Sequence, residues 1–105
     1  MPNDPRPLVI TEVGGGLVQV QYLIAGTGVP EAYVLDFDRE GCDAYDLRLF
    51  RTELRRAARS LRRRPVGAQI WYDGHVSGQT LDILADAYEN TAREYTLKSN
   101  PGRYR

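Results

Sequence analysis

The sequence predicts a single α+β domain, α/β-like in its layout, with elements in the order β-β-β-α-β-α. Residues 8–38 contain three short runs rich in β-branched and aromatic residues, separated by glycine-rich turns. Residues 43–65 and 78–95 repeat apolar side chains every three or four positions, as an amphipathic helix does. Between them, residues 68–73 form a short apolar and aromatic run, typical of a fourth strand.

A chain of 105 residues is long enough to bury a core without disulfides or metal. Residues 1–7 contain three prolines and are expected to form a flexible arm, residues 8–97 the folded domain, and residues 98–105 a basic tail. Cys42 is the only cysteine, so an internal disulfide cannot form and a cytoplasmic location is expected. No apolar run is long enough to span a bilayer, so we expect no membrane partner.

The first three strands are predicted to form an antiparallel meander. The first strand, residues 8–13, ends at three glycines that suit a hairpin turn, and residues 17–24 then alternate between two faces. A turn at residues 26–30 leads into the third strand, residues 32–38. The fourth strand follows a long helix and is expected to lie parallel to its neighbour. Strands one, three and four then run in the same direction.

The clearest helix begins after Asp43, which can cap it by accepting a backbone N–H, and ends before Pro65. Asp46 adds a favourable negative charge at the helix N-terminus. We expect one apolar stripe of this helix to pack on the aromatic face of the third strand. The stripe consists of Leu47, Phe50, Leu54 and Leu61.

The other face of this helix is basic. Residues 47–64 contain eight arginines and one acid, Glu53, which is a local charge of +7. The arginines are Arg48, Arg51, Arg55, Arg56, Arg59, Arg62, Arg63 and Arg64. Because the whole chain has zero net charge and residues 1–46 carry −6, the molecule is predicted to be dipolar rather than uniformly basic.

A second helix is predicted from Gly78 to Tyr95, with Ser77 as its cap. Its acidic face includes Glu89, which is spaced to pair with Arg93 at i, i+4. Both helices are expected to pack on the sheet. The apolar stripe of this second helix consists of Leu81, Leu84, Tyr88, Ala92 and Tyr95.

The arginine-rich helix favours a small binding module, most simply one for nucleic-acid backbone. Guanidinium groups bind phosphate oxygens bidentately and release counterions. The basic tail would add to this charge, and Tyr22, Tyr33 and Trp71 could stack on bases if they are exposed.

A protein partner is the first alternative. The partner would present an acidic surface, either on another protein or on a second copy of this chain through its acid-rich N-terminal half. A solvated arginine face, or one paired with acids of the second helix, would need no partner at all.

A metal-dependent phosphoryl-transfer enzyme is the second alternative. Carboxylates follow the ends of strands that run in the same direction, and such an edge suits Mg²⁺ or Mn²⁺. The candidate ligands are Glu12, Asp36, Asp38 and Asp73. This alternative ranks below binding because aspartate is also common in turns. No catalytic residue is assigned, and no cofactor besides these metal ions is implied.

Overall fold

A computed structural model describes residues 3–99 of the chain. The predicted tail is therefore covered only at Lys98 and Ser99, which end the last helix, and residues 100–105 lie outside the described residues. The elements are β1 (Leu8–Gly14), β2 (Leu17–Ile24), β3 (Glu31–Asp36), α1 (Ala44–Arg62), β4 (Ile70–Tyr72), β5 (His75–Val76) and α2 (Leu81–Ser99).

The predicted α+β class, the element order and the packing of both helices on the sheet are confirmed. One mixed sheet has the strand order β3-β1-β2-β4-β5. Strands β1, β3 and β4 run in the same direction, as predicted, and β2 runs against them. The core lies between one face of the sheet and the two helices. It includes Ile10, Ile24 and Leu35 from the sheet, with Leu54 and Leu84 from the helices.

The predicted meander is wrong in one respect, because β3 pairs in parallel with β1 and not with β2. To reach this position the chain crosses over the segment that precedes β1, where Thr27 N–H donates to the Pro5 carbonyl at 2.8 Å. A Cβ at Gly26 would collide with the same carbonyl oxygen. Glycine therefore permits the crossing, and β4 takes the position beside β2.

The sheet has five strands where four were predicted. Asp73 and Gly74 both have positive φ, at 49° and 77°, so they form the tight two-residue turn typical of a hairpin. The returning strand β5 is only two residues long. Such a short strand has no alternating pattern to reveal it in the sequence.

Helix α1 begins as predicted, since the carboxylate of Asp43 accepts the Asp46 N–H at 2.8 Å. It ends at Arg62, two residues before the predicted end, where the Arg64 N–H bonds the Leu61 carbonyl in a tighter turn. The predicted apolar stripe is buried at three of its four positions, and Leu47 is half-buried. The ring of Phe50 contacts that of Phe37 edge to face at 5.2 Å.

Helix α2 begins at Leu81, three residues after the predicted start. Thr80 is the cap, because its hydroxyl accepts the Ile83 N–H at 3.2 Å. Ser77 cannot take that role, since its N–H donates to the Ile70 carbonyl at 2.6 Å and holds it beside the sheet. The predicted apolar stripe of α2 is confirmed, since four of its members are buried and Tyr95 is half-buried.

Residues 4–7, predicted to belong to a flexible arm, lie against the C-terminal end of α1. The Asp4 N–H donates to the Arg63 carbonyl at 2.7 Å, and the Glu31 N–H donates to the Pro7 carbonyl at 2.9 Å. The segment is thus fastened to both α1 and β3.

Candidate functional site

The eight predicted arginines do not form one free surface, because the last three pair with acids of other segments and Arg64 is also buried. Arg62 contacts the carboxylates of Asp86 and Glu89 on α2. Arg63 donates to Glu31 at 3.1 Å. Arg62 and Arg63 therefore hold α2 and β3 against α1, and each already has an acid as its partner.

Arg64 is the most internal of the eight, with only 2% of its surface exposed. It donates to the Glu31 carboxylate at 3.0 Å and to the Ser60 hydroxyl at 2.8 Å. Its remaining donors reach the carbonyls of Arg6 and Pro7, at 3.2 and 3.4 Å. A guanidinium with all these partners cannot meet an external phosphate, so Arg64 is structural.

Glu31 balances this buried charge. Its burial alone would raise the pKa, but hydrogen bonds from Ser60, Tyr33 and Arg64, with the charge of Arg63, outweigh burial and lower the pKa of Glu31 to about 2. Glu31 is therefore ionised at neutral pH, and the cluster carries paired charges. The alternative in which the arginines pair with acids of the second helix describes Arg62, which contacts Asp86 and Glu89, but not Arg64, whose acid partner lies in β3.

The other five predicted arginines remain near the surface. Arg48 and Arg59 are exposed and form no ion pair with any described residue. Arg56 is exposed and pairs with Glu53 at 3.3 Å. Arg51 is half-buried and donates to the Tyr95 carbonyl. The contact of Arg51 with α2 is one that the sequence pattern of α1 does not contain.

Arg55 and Arg59 line a groove between the two helices, together with Arg93 of α2. This arginine groove also contains Glu89 and Thr96 and has a volume of about 390 Å³. Among the described residues Glu89 is the one carboxylate that lines the groove, and Arg62 already contacts that carboxylate. Arg55 donates to the Thr96 hydroxyl at 3.4 Å, which orients its guanidinium along the groove.

Arg93 was not among the predicted site residues, because its spacing from Glu89 suggested an ion pair on α2. In the structure Glu89 contacts Arg62 instead, and Arg93 donates to Asn90 at 3.4 Å. The packing of α1 against α2 determines that Glu89 contacts Arg62 and not Arg93. The groove therefore combines three arginines from two helices.

The three aromatic residues predicted to stack on bases are not placed to do so beside the arginines. Tyr22 and Tyr33 lie on the helix side of the sheet, half-buried against the core. Tyr33 also donates its hydroxyl hydrogen to Glu31 at 2.7 Å. Trp71 is exposed, but it points from the sheet face opposite the helices, since its partner in the register is Leu23.

The four carboxylates of the metal alternative are not brought together. Among the described residues, no group of three or more His, Cys, Asp or Glu side chains could hold a metal ion. Glu12 accepts the Tyr88 hydroxyl at 2.6 Å, and burial followed by this bond raises the pKa of Tyr88. Asp38 accepts the N–H groups of Gly15 and Gly16 at 2.7 and 3.0 Å, which lowers its pKa.

The positions of Asp36 and Asp73 in the sheet explain why the candidate metal ligands lie apart. Asp36 ends β3 and pairs with Arg39 at 3.5 Å. Asp73 follows β4, which lies three strand spacings away, or about 14 Å across the sheet. Because β4 is only three residues long, Asp73 also lies below the edge at which β1 and β3 end.

Comparisons with protein families, with curated proteins and with solved structures find no match for this chain. Neither helix within residues 3–99 is long and apolar enough to cross a lipid bilayer. The function must therefore be inferred from the chain's own side chains.

Proposed function

We propose that this protein binds the phosphate backbone of nucleic acid through the arginine groove and the exposed Arg48 on the same side of α1. One observation carries the proposal: Arg55, Arg59 and Arg93 line a groove in which the single carboxylate of residues 3–99, that of Glu89, already has a partner. Guanidinium groups in this arrangement suit phosphate oxygens, which accept bidentate hydrogen bonds.

The layout of α1 supports binding to a chain of phosphates rather than to a single anion. Arg48, Arg55 and Arg59 lie on the exposed side of the helix, and eleven residues at about 1.5 Å each separate the first from the last, or roughly 16 Å. The like charges of Arg55 and Arg59, which are four residues apart, repel each other, and a row of phosphates would relieve that repulsion.

A cytoplasmic location fits this function, because Cys42 has no second cysteine with which to pair.

Binding to single- and double-stranded DNA and RNA, measured by fluorescence anisotropy over a range of salt, tests the proposal. We expect the logarithm of the affinity to fall linearly with the logarithm of the salt concentration, and the affinity to show little sequence preference. Arg59→Gln and Arg93→Gln should each reduce the salt slope by about one, although the two residues are on different helices. Arg62 is left unchanged, because it already contacts Asp86 and Glu89 of α2.

Arg56→Gln is the matched control, since it removes one exposed charge outside the groove. If Arg56→Gln weakens binding as much as Arg59→Gln, general charge rather than the groove is responsible. No binding to any of these nucleic acids at ~50 mM salt, where surface electrostatics are strongest, would exclude the proposal. An acidic protein surface would then be the remaining candidate for the arginines.

A further inference from the structure

The face of the sheet opposite the helices is apolar and uncovered by any described residue. The strand register places Val18, Leu23, Val34, Trp71 and Val76 on this open sheet face. Val34 is 62% exposed and Val76 49% exposed, although each is part of a strand. An antiparallel sheet that faces water normally places polar residues on that side, so this composition indicates a surface that is buried in use.

The few polar side chains on the open sheet face are already satisfied within the chain. Gln21 donates its amide to the Thr11 hydroxyl at 3.0 Å, near the centre of the face. Asp36, at one corner, pairs with Arg39 at 3.5 Å. Covering this face would therefore leave few polar groups without partners, which is the main cost of burying a surface.

The charge of the face restricts what can cover it. Among the described strand residues on this side there is no cation to bind phosphate, and the single carboxylate among them lies at the rim. An identical face can be stacked on such a surface without bringing like charges together. A two-fold interface requires this kind of self-complementarity, because the same patch is used by both copies.

The size of the sheet is sufficient for a weak dimer. Five strands of two to eight residues, at a spacing of about 4.8 Å and a rise of about 3.3 Å per residue, project roughly 400 Å². Side chains expose more area than the plane on which they stand, so two stacked copies would bury on the order of 1,000 Å² in total. This value is near the lower limit for specific interfaces, where association is weak or transient. Because area alone does not set affinity, we take a Kd on the order of micromolar only as the range to search.

We propose that the open sheet face binds a second copy of this chain, so that two sheets stack face to face about 10 Å apart, with the helices outside. The arginine grooves then lie on opposite outer sides of the dimer. The interface uses none of the arginines in the groove, so self-association and nucleic-acid binding succeed or fail separately.

Sedimentation and Trp71 fluorescence, measured from about 1 µM to about 500 µM, test this dimer around its expected Kd. We expect the mass to double with concentration and the emission of Trp71, the only tryptophan, to shift to shorter wavelength as it is buried. Both changes should persist at about 0.5 M NaCl, because burial of apolar surface is not screened, whereas arginine–acid association is.

Val34→Glu and Val76→Glu, near opposite edges of the face, should each keep the chain monomeric throughout this range. Val66→Glu is the matched control, because it makes the same change at a fully exposed loop position, and it should dimerise as the wild type does. Circular dichroism verifies that each variant folds. A wild type that stays monomeric with unchanged Trp71 emission, or a dimer that persists in both folded face variants, would overturn the proposal.

Discussion

Glu31 and Arg64 form the centre of a charged cluster that joins three parts of the chain. Glu31 begins β3, Arg64 follows α1, and Arg64 also reaches the carbonyls of the N-terminal segment at Arg6 and Pro7. Ser60 contacts Glu31 and accepts from Arg64. Because Arg64 is buried, removal of the Glu31 carboxylate would leave the positive charge of Arg64 buried with fewer favourable partners.

We expect Glu31→Gln to lower the free energy of unfolding at pH 7 by about 2–3 kcal/mol. This is less than the full cost of breaking a buried ion pair, because Arg64 keeps its carbonyl partners and its contact with Asp4. The folded-state pKa of Glu31 is lowered from 4.5 to about 2, so its ionised form stabilises the protein above about pH 4.5. This contribution should be lost as the pH falls toward 2.

Urea unfolding between pH 7 and pH 2 measures this effect. The difference between wild type and Glu31→Gln should shrink as the pH falls, whereas Glu40→Gln, an exposed control on the β3–α1 connection, should parallel the wild type throughout. A constant difference between wild type and Glu31→Gln across the range would contradict the role of Glu31 in the cluster.

The connection between β2 and β3 decides the topology of the sheet at the level of elements. It passes over the segment before β1, and Gly26 is the point of closest approach to Pro5. The crossing places β3 beside β1 and leaves one edge of β2 available to β4. A short turn directly back onto β2 would have given the meander that the spacing predicted.

Gly26→Ala should therefore destabilise the protein by about 1–3 kcal/mol, since the added methyl group must displace the backbone of Pro5 to Pro7. The measurement is thermal or urea unfolding. Gly78→Ala is the control, because an added Cβ there meets no atom within 4 Å, and its stability should equal or slightly exceed that of the wild type. Equal stability of the two variants would show that the crossing does not require glycine.

The whole molecule has two chemically different sides. The helix side carries the arginine groove, and the sheet side is apolar and nearly uncharged. The carboxylates that the metal alternative would require are distributed between these sides and the loops. Asp38 binds backbone N–H groups, Glu12 a tyrosine hydroxyl and Asp36 an arginine. The described carboxylates therefore do not assemble the metal site that the phosphoryl-transfer alternative requires.

Millimolar Mg²⁺ or Mn²⁺ should therefore leave the melting temperature unchanged, because an ion that does not bind the folded state cannot stabilise it by mass action. Scanning fluorimetry after chelator treatment, with and without each metal, provides the measurement. A rise in melting temperature that Asp36→Asn abolishes would restore the phosphoryl-transfer alternative.

Local sequence determined the elements of this protein. The period of the apolar residues predicted α1 and α2, the alternation of residues 17–24 predicted β2, and Asp43 predicted the start of α1, because each depends on residues that are close along the chain. Short elements such as β5 carry too few residues for a pattern.

Tertiary structure alone decided the partners of those elements and the use of the arginines. Arg64 and Glu31 are 33 residues apart, and their contact converts a predicted site residue into a buried structural one. The arginine groove likewise exists only because α2 brings Arg93 beside α1. A helical pattern states which residues share a face, but what covers that face depends on how distant segments pack.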